Sequence, residues 1–260
     1  MNADGSGRRQ LAHCGGCGAG PGSLAAFGTP FSWSPDGRSI VVQSSPDPHG
    51  ADPSRSEIAV VDVASGTRRV LTRFGSEPAW APDASRLAFS NWDSIWTVKP
   101  NGSGLSPIPR LRNLRSVDGP VWSRDGTRIA FDSGDRTYVV NADGSKLNRQ
   151  PLFRGTRGSW APAWSPDGSR LVILGTSNRT GFALWVARSD GTGRRLVYRS
   201  RSAGIWSLPA WSPDGKLIAV GVGGTSYGGP QAILFFSPDG TPRGTLAAFT
   251  RSIAWQPLPR

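Results

Sequence analysis

The sequence predicts an all-β fold assembled from repeated four-stranded antiparallel units, on three observations. One short phrase recurs six times at a nearly constant interval, each copy ends its first strand in tryptophan, and each complete copy holds two tight turns between apolar strands. The copies are Phe31-Ser-Trp33-Ser-Pro-Asp-Gly, Pro78-Ala-Trp80-Ala-Pro-Asp-Ala, Pro120-Val-Trp122-Ser-Arg-Asp-Gly, Pro162-Ala-Trp164-Ser-Pro-Asp-Gly, Pro209-Ala-Trp211-Ser-Pro-Asp-Gly and the terminal Ile253-Ala-Trp255-Gln-Pro. Successive tryptophans stand 47, 42, 42, 47 and 44 residues apart, which is the length of one β-propeller blade.

The elements follow in one order within each copy. After the tryptophan strand and its Asp-Gly turn comes a second strand, at 39–43, 86–90, 128–132, 170–174 and 217–221. Third strands are expected at 57–63, 94–98, 137–140, 183–187 and 231–236, each followed by a second turn and a last strand. Asp-Gly and Asn-Gly supply the positive φ that tight hairpins need. The tryptophan fills the wedge between neighbouring inner strands, so Trp33, Trp80, Trp122, Trp164 and Trp211 are core residues before they are anything else. The proline two residues earlier cannot donate to a ladder and is expected at the strand's first residue.

These boundaries give blades at 31–73, 78–110, 120–152, 162–198 and 209–247, a terminal strand at 252–257, and at 1–30 a remnant of an upstream repeat with a glycine-rich loop. The expectation is a six-bladed type of propeller with five complete blades and an incomplete closing blade. Residues 1–7 match the end of a third strand and its turn at 140–146, so the chain is expected to start late within a repeat, or else to be a propeller with an open seam.

Composition agrees. Glycine (34), proline (22) and tryptophan (11) are abundant and methionine occurs once, as many short strands and turns require. No run of 18 apolar residues exists, so no membrane-spanning helix is expected, and residues 1–30 lack the pattern of a secretory signal. The net charge of +12 comes from 27 arginines and three lysines against 18 acids. It marks either an acidic partner or a GC-rich coding sequence. Cys14 and Cys17 form a Cys-x-x-Cys in a glycine-rich stretch. With only His13 and His49 besides, they fall short of a zinc ligand set, and they read as a local disulfide or two idle thiols.

Pro-x-Trp-Ser-Pro-Asp-Gly before an apolar strand, then an apolar strand running into Asn-Ala-Asp-Gly-Ser, resembles the WD40-like repeats of the TolB family of bacterial propellers. The resemblance covers residues 31–257. It implies a periplasmic or exported location, recognition of protein partners on a propeller face, and no cofactor. Related repeats form the propeller of prolyl-oligopeptidase-type enzymes, so the alternative is a detached propeller domain of such a hydrolase, or of a lyase.

Apparent catalytic chemistry does not withstand inspection. Gly224-Thr-Ser226-Tyr-Gly228 spells Gly-x-Ser-x-Gly, but it stands in the loop before the third strand of the fifth blade, with no histidine after it. Asp36, Asp83, Asp125, Asp167 and Asp214 each stand alone in a turn, unlike the clustered carboxylates of a calcium loop, and read as turn formers. The expectation is therefore a protein without enzymatic activity, metal or cofactor.

Up-and-down connectivity puts both turns of every blade on one face. The other face carries the variable loops at 44–56, 91–94, 133–136, 175–181 and 222–230, together with the blade-to-blade connections. Those connections hold Arg73, Arg110, Arg112, Arg115, Arg154, Arg157, Arg199, Arg201 and Arg251 against two acids, Glu77 and Asp118. Trp160 and Trp206, outside the repeated position, add aromatic anchors. These residues form either a basic funnel for an acidic peptide, carboxylate terminus or polyanion, or a set of solvated arginines with two locally packed tryptophans. A protein or peptide partner and a monomeric chain are expected. Nucleic acid is not, because charge alone would carry that reading.

Overall fold

The computed structural model describes residues 31–44, 56–109, 111, 114–147, 157–177, 181–200, 203–205, 207–224 and 231–247. Every regular element among them is a β-strand. The chain groups into two compact units, one running to Asn91 and including Trp96–Ser106, the other formed by Trp92–Ile95 and the residues from Pro107 on.

The first unit opens with an antiparallel sheet in simple chain order, β1 (Phe31–Trp33), β2 (Ser39–Ser44), β3 (Glu57–Asp62) and β4 (Arg68–Thr72). The next sheet repeats the order with β5 (Ser76–Trp80), β6 (Leu87–Ser90), β7 (Ile95–Val98) and a two-residue β8 (Ser106–Pro107). In the second unit β9 (Val117–Trp122), β10 (Arg128–Ser133) and β11 (Arg136–Asn141) form three strands, the expected fourth falling at residues outside the described set. A full sheet follows, β12 (Arg157–Trp164), β13 (Arg170–Ser177), β14 (Gly181–Arg188) and β15 (Arg195–Ser200). In the last sheet the first strand is split into β16 (Ala203–Ile205) and β17 (Ala210–Trp211), both paired to β18 (Ile218–Gly224), which continues to β19 (Gln231–Phe236) and β20 (Pro242–Ala247). Between the two halves the Ser207 hydroxyl accepts the Gly221 N–H at 2.7 Å, replacing the missing ladder bond.

Apolar strands buried on both faces build the cores. Val41, Ile58, Leu87, Phe89 and Val98 pack with Trp80 in the first unit. In the second, Val172, Leu184, Ile218 and Val220 pack with Trp211, while Ala130, Leu171, Ile173 and Ala187 pack with Trp164.

Trp80, Trp122, Trp164 and Trp211 are core residues, as expected, whereas Trp33, also expected in the core, is not; Trp80, Trp164 and Trp211 also make a directional bond that the sequence did not reveal. Trp80 Nε1 donates to the Ser32 carbonyl at 3.1 Å. Trp164 Nε1 donates to the Val121 carbonyl and Trp211 Nε1 to the Ala163 carbonyl, each at 3.0 Å. In all three cases the acceptor is the residue just before the tryptophan of the preceding repeat. Trp33, in the first described strand, is half exposed and has no such acceptor among the described residues.

The prolines are displaced from their expected position. Pro78, Pro120 and Pro162 stand inside β5, β9 and β12, where the pairing register slips: between Ser76 and Ala79, between Asp118 and Val121, and between Trp160 and Ala163. A bulge is where a sheet tolerates a residue without an N–H, and each of these strands lies at the edge of its sheet, so the strand continues through the proline instead of starting at it.

The second repeat has Ala84 where the others have glycine, and Ala84 holds φ at +59°. Ala84→Gly is therefore expected to raise stability by about 0.5–1 kcal/mol, relief of left-handed strain outweighing the added chain entropy. Trp164→Phe, which strips the donor from a buried carbonyl, is expected to cost about 1–3 kcal/mol, and Trp33→Phe clearly less. Thermal denaturation of the three variants beside the parent checks both expectations.

Candidate functional site

The antiparallel order sorts the connections within each sheet to opposite ends, and the two ends differ in chemistry. At the turn end a four-residue network repeats. Ser34 Oγ donates to Asp36 at 2.6 Å, Asp36 accepts the Arg38 N–H at 3.1 Å, and Ser34 Oγ accepts the Ser39 N–H at 2.9 Å. Ser123 with Asp125, Ser165 with Asp167 and Ser212 with Asp214 do the same at 2.6, 2.5 and 2.6 Å. The aspartates thus act as turn formers, each satisfied within its own hairpin.

The hydroxyl of Ser123, then the Thr127 N–H, holds the Asp125 carboxyl down at about 2, and the hydroxyls of Ser165 and Ser169 with the Ser169 N–H hold Asp167 at about 2. Asp36, Asp214 and Asp239 are lowered first by the hydroxyls of Ser34, Ser212 and Ser237, and Asp83 first by the Ser85 N–H. Each serine hydroxyl that donates to its aspartate also accepts a backbone N–H of the same turn, from Ser39, Arg128, Arg170 or Leu217.

A cavity of about 250 Å³ opens at this end between two neighbouring turns, lined by Ser165, Pro166, Asp167, Arg170, Trp211, Asp214 and Gly215. The preceding boundary has the same parts with the space filled. There the Arg128 guanidinium lies 4.7 Å above the Trp164 ring and donates to the Gly168 carbonyl and to Ser189 Oγ, both at 2.9 Å.

At the opposite end lie the loops and connections that sequence reading singled out. Arg73 is exposed in the connection after β4, which is braced where Thr72 Oγ1 bonds the Phe74 carbonyl and where the Glu77 N–H donates to Gln43 Oε1 at 3.0 Å. Arg115 is exposed, and its carbonyl accepts Ser133 Oγ at 2.8 Å. Arg199 is exposed but belongs to β15, paired with Ala183, and not to a connection. Arg157 and Trp160 likewise lie in β12, opposite Thr176 and Leu174. The cause is the same in both cases: β13 and β14 each run to eight residues and carry their partners with them. Arg110, Arg112, Arg154, Arg201, Trp206 and Arg251 lie outside the described residues, as do His13, Cys14, Cys17, His49 and, of the Gly-x-Ser-x-Gly stretch, all but Gly224, which ends β18.

Sequence reading missed Trp92. It stands in the loop between β6 and β7, 54 % exposed, with φ at +48°. The available signal was local: Asn91-Trp92-Asp93-Ser94 puts a large aromatic residue in a turn that has no inward position to offer it.

No protein-family model matches the chain, and no curated protein sequence matches it either. Solved structures do resemble it. A TolB-designated protein of Agrobacterium tumefaciens superposes with a TM-score of 0.65 at 18 % identity, over 87 % of this chain and 85 % of that one. The β-propeller domain of Cps50 (Swd1) from Myceliophteria thermophila gives 0.64 at 14 % identity, over 88 % and 76 %. Puromycin hydrolase gives 0.58 at 18 % identity, over 80 % of this chain and 37 % of the enzyme. Likenesses at this identity define the fold: the chain is an all-β, TolB-like and WD40-like β-propeller.

Because the turn aspartates are depressed in the folded chain, they contribute stability above their unfolded pKa of about 3.9 and lose it as pH falls through about 2. Thermal stability is therefore expected to hold from pH 7 to about 5 and to decline between about 4 and 2. A Ser123→Ala, Ser165→Ala variant should show a shallower decline in that window, measured by circular dichroism.

Proposed function

We propose that the chain is a non-enzymatic binding scaffold that holds a protein or peptide of acidic character on its variable-loop face, in the manner of the TolB-like propellers it resembles in fold. The observation that carries this is the contrast between the two ends of the sheets. At the turn end the repeated serine and aspartate side chains are consumed by their own hairpins. At the other end Arg73, Arg115 and Arg199 are exposed on backbone that is held by hydrogen bonds or strand pairing. Arginines on held backbone have less chain freedom to lose on pairing with a carboxylate, which suits them to recognise an acidic segment.

The same proposal includes the other arginines singled out in the sequence, Arg112, Arg154, Arg157, Arg201 and Arg251, as further partners for an acidic segment, and Trp160 and Trp206 as aromatic anchors. Such a scaffold works as a monomer without a cofactor. If it functions as TolB-like propellers do, it belongs in the periplasm or outside the cell. The likeness to puromycin hydrolase, of which the chain spans little more than a third, favours a second reading: a detached propeller domain that serves a hydrolase.

The test is capture of partners from an extract by the immobilised chain, beside an Arg73→Glu, Arg115→Glu, Arg199→Glu variant of matched thermal stability. A protein held by the parent and lost at least tenfold by the variant is the expected outcome, with retention that weakens as salt rises. Equal capture by both overturns the arginine surface. Hydrolysis of peptide substrates by the purified chain would replace the scaffold reading altogether.

A further inference from the structure

We propose that Trp92 is the apolar anchor of the variable-loop face, and that its ligand is an acidic peptide segment that lays an aliphatic side chain on the indole and pairs a neighbouring carboxylate with Arg115. The inference rests on the scaffold reading above and names the residues and ligand chemistry of that face.

The backbone at Trp92 is strained. Trp92 is the bulkiest of the non-glycine residues that hold a positive φ, a conformation that asparagine, aspartate or glycine would take at lower cost. Strain of this kind is kept where the surrounding structure over-determines it, and it concentrates at functional positions. The surroundings here do over-determine it: the Trp92 carbonyl accepts the Val117 N–H at 2.8 Å, and the Ser116 carbonyl accepts the Gly134 N–H at 3.2 Å.

The fold makes little use of the ring. The side chain is more than half exposed and makes no ring stacking or cation contact among the described residues. The other tryptophans whose exposure is described, Trp33 apart, are largely covered. An exposed indole on a braced loop has the properties of a binding anchor: large area, few rotatable bonds and little entropy left to lose.

The charge beside the loop selects the ligand. The Trp92–Val117 bond brings the Trp92 loop beside residues 114–116, of which Arg115 is the charged one. Arg115 stands two residues from the bond, exposed, and has no ion pair among the described residues. Asp93, the next residue in the loop and exposed, repels a carboxylate beside it and so favours a ligand with its acid toward Arg115.

The test uses three fluorescein-labelled peptides of equal length, alternating Leu-Glu, Ser-Glu and Leu-Lys, titrated with the full chain and read by fluorescence anisotropy. The Leu-Glu peptide should bind saturably, and the other two at least tenfold more weakly. Trp92→Asn keeps a residue suited to the left-handed backbone and removes the ring. It should lose tenfold or more in Leu-Glu affinity with a Tm within about 3 °C of the parent. Trp92→Phe should stay within about threefold of the parent affinity. Arg115→Gln should lose about fivefold and flatten the salt dependence. No saturable Leu-Glu binding, equal binding of Ser-Glu, Trp92→Asn binding within twofold of the parent, or a Tm loss near 10 °C on that substitution would each overturn the proposal. The same Trp92→Asn chain, put through the extract capture described above, separates the two readings. A partner retained at the parental level removes Trp92 from the site and leaves the scaffold standing.

Discussion

The fold depends on one hydrogen bond made repeatedly: an indole N–H reaching back to the carbonyl that precedes the tryptophan of the repeat before it. Hydrophobic filling alone would accept any large side chain in the wedge between sheets and would leave their spacing loosely set. The directional bond does more, because an acceptor at a fixed place in the preceding strand sets both separation and stagger, and burial makes an unmade bond costly. Within each unit the bonded sheet is thereby positioned by its predecessor, as expected of an array stabilised by nearest-neighbour contacts.

With the sheets so placed, the two kinds of connection are free to diverge. Every Asp-Gly hairpin must bring two strands together with the same twist, so its serine, aspartate and glycine are held to one solution, and its side chains have no capacity left over. The opposite connections have only to span a gap. They can carry arginine, an exposed tryptophan or a positive φ without disturbing the pairing, because elements such as Gln43 and Ser133 reach across and hold their backbone. Sequence is free to vary at that end because the architecture asks least of it there.

Much of the fold was legible in the chain, since a period near 45 residues, the Asp-Gly turns and apolar runs such as Leu171–Leu174 are local properties. What was not legible depended on partners. The prolines inside β5, β9 and β12 could be placed only with the opposing register known. Arg157 and Trp160 fell into β12 because β13 extends into polar residues, Gly175 to Ser177, that no alternation marks as strand, and Arg199 fell into β15 opposite the long β14. The indole bond stayed hidden because it joins residues 43 or 48 apart through one side-chain atom. On the candidate face the arginines were visible as composition. Trp92 was not, since comparison of repeats directs attention to what recurs and Trp92 occurs once.

The proline bulges also bear on how such a molecule survives in crowded solution. A four-stranded sheet has two edges, and an inner strand that ran straight and fully paired would present an unbroken row of N–H and C=O groups to any stray strand of another molecule. Pro78, Pro120 and Pro162 each remove one donor from that row and kink it at the register slip. The chain thus carries, at the position that begins each packing contact with its neighbour, a built-in refusal to pair with the wrong one. That protection matters most while the blades are still assembling and their edges stand open.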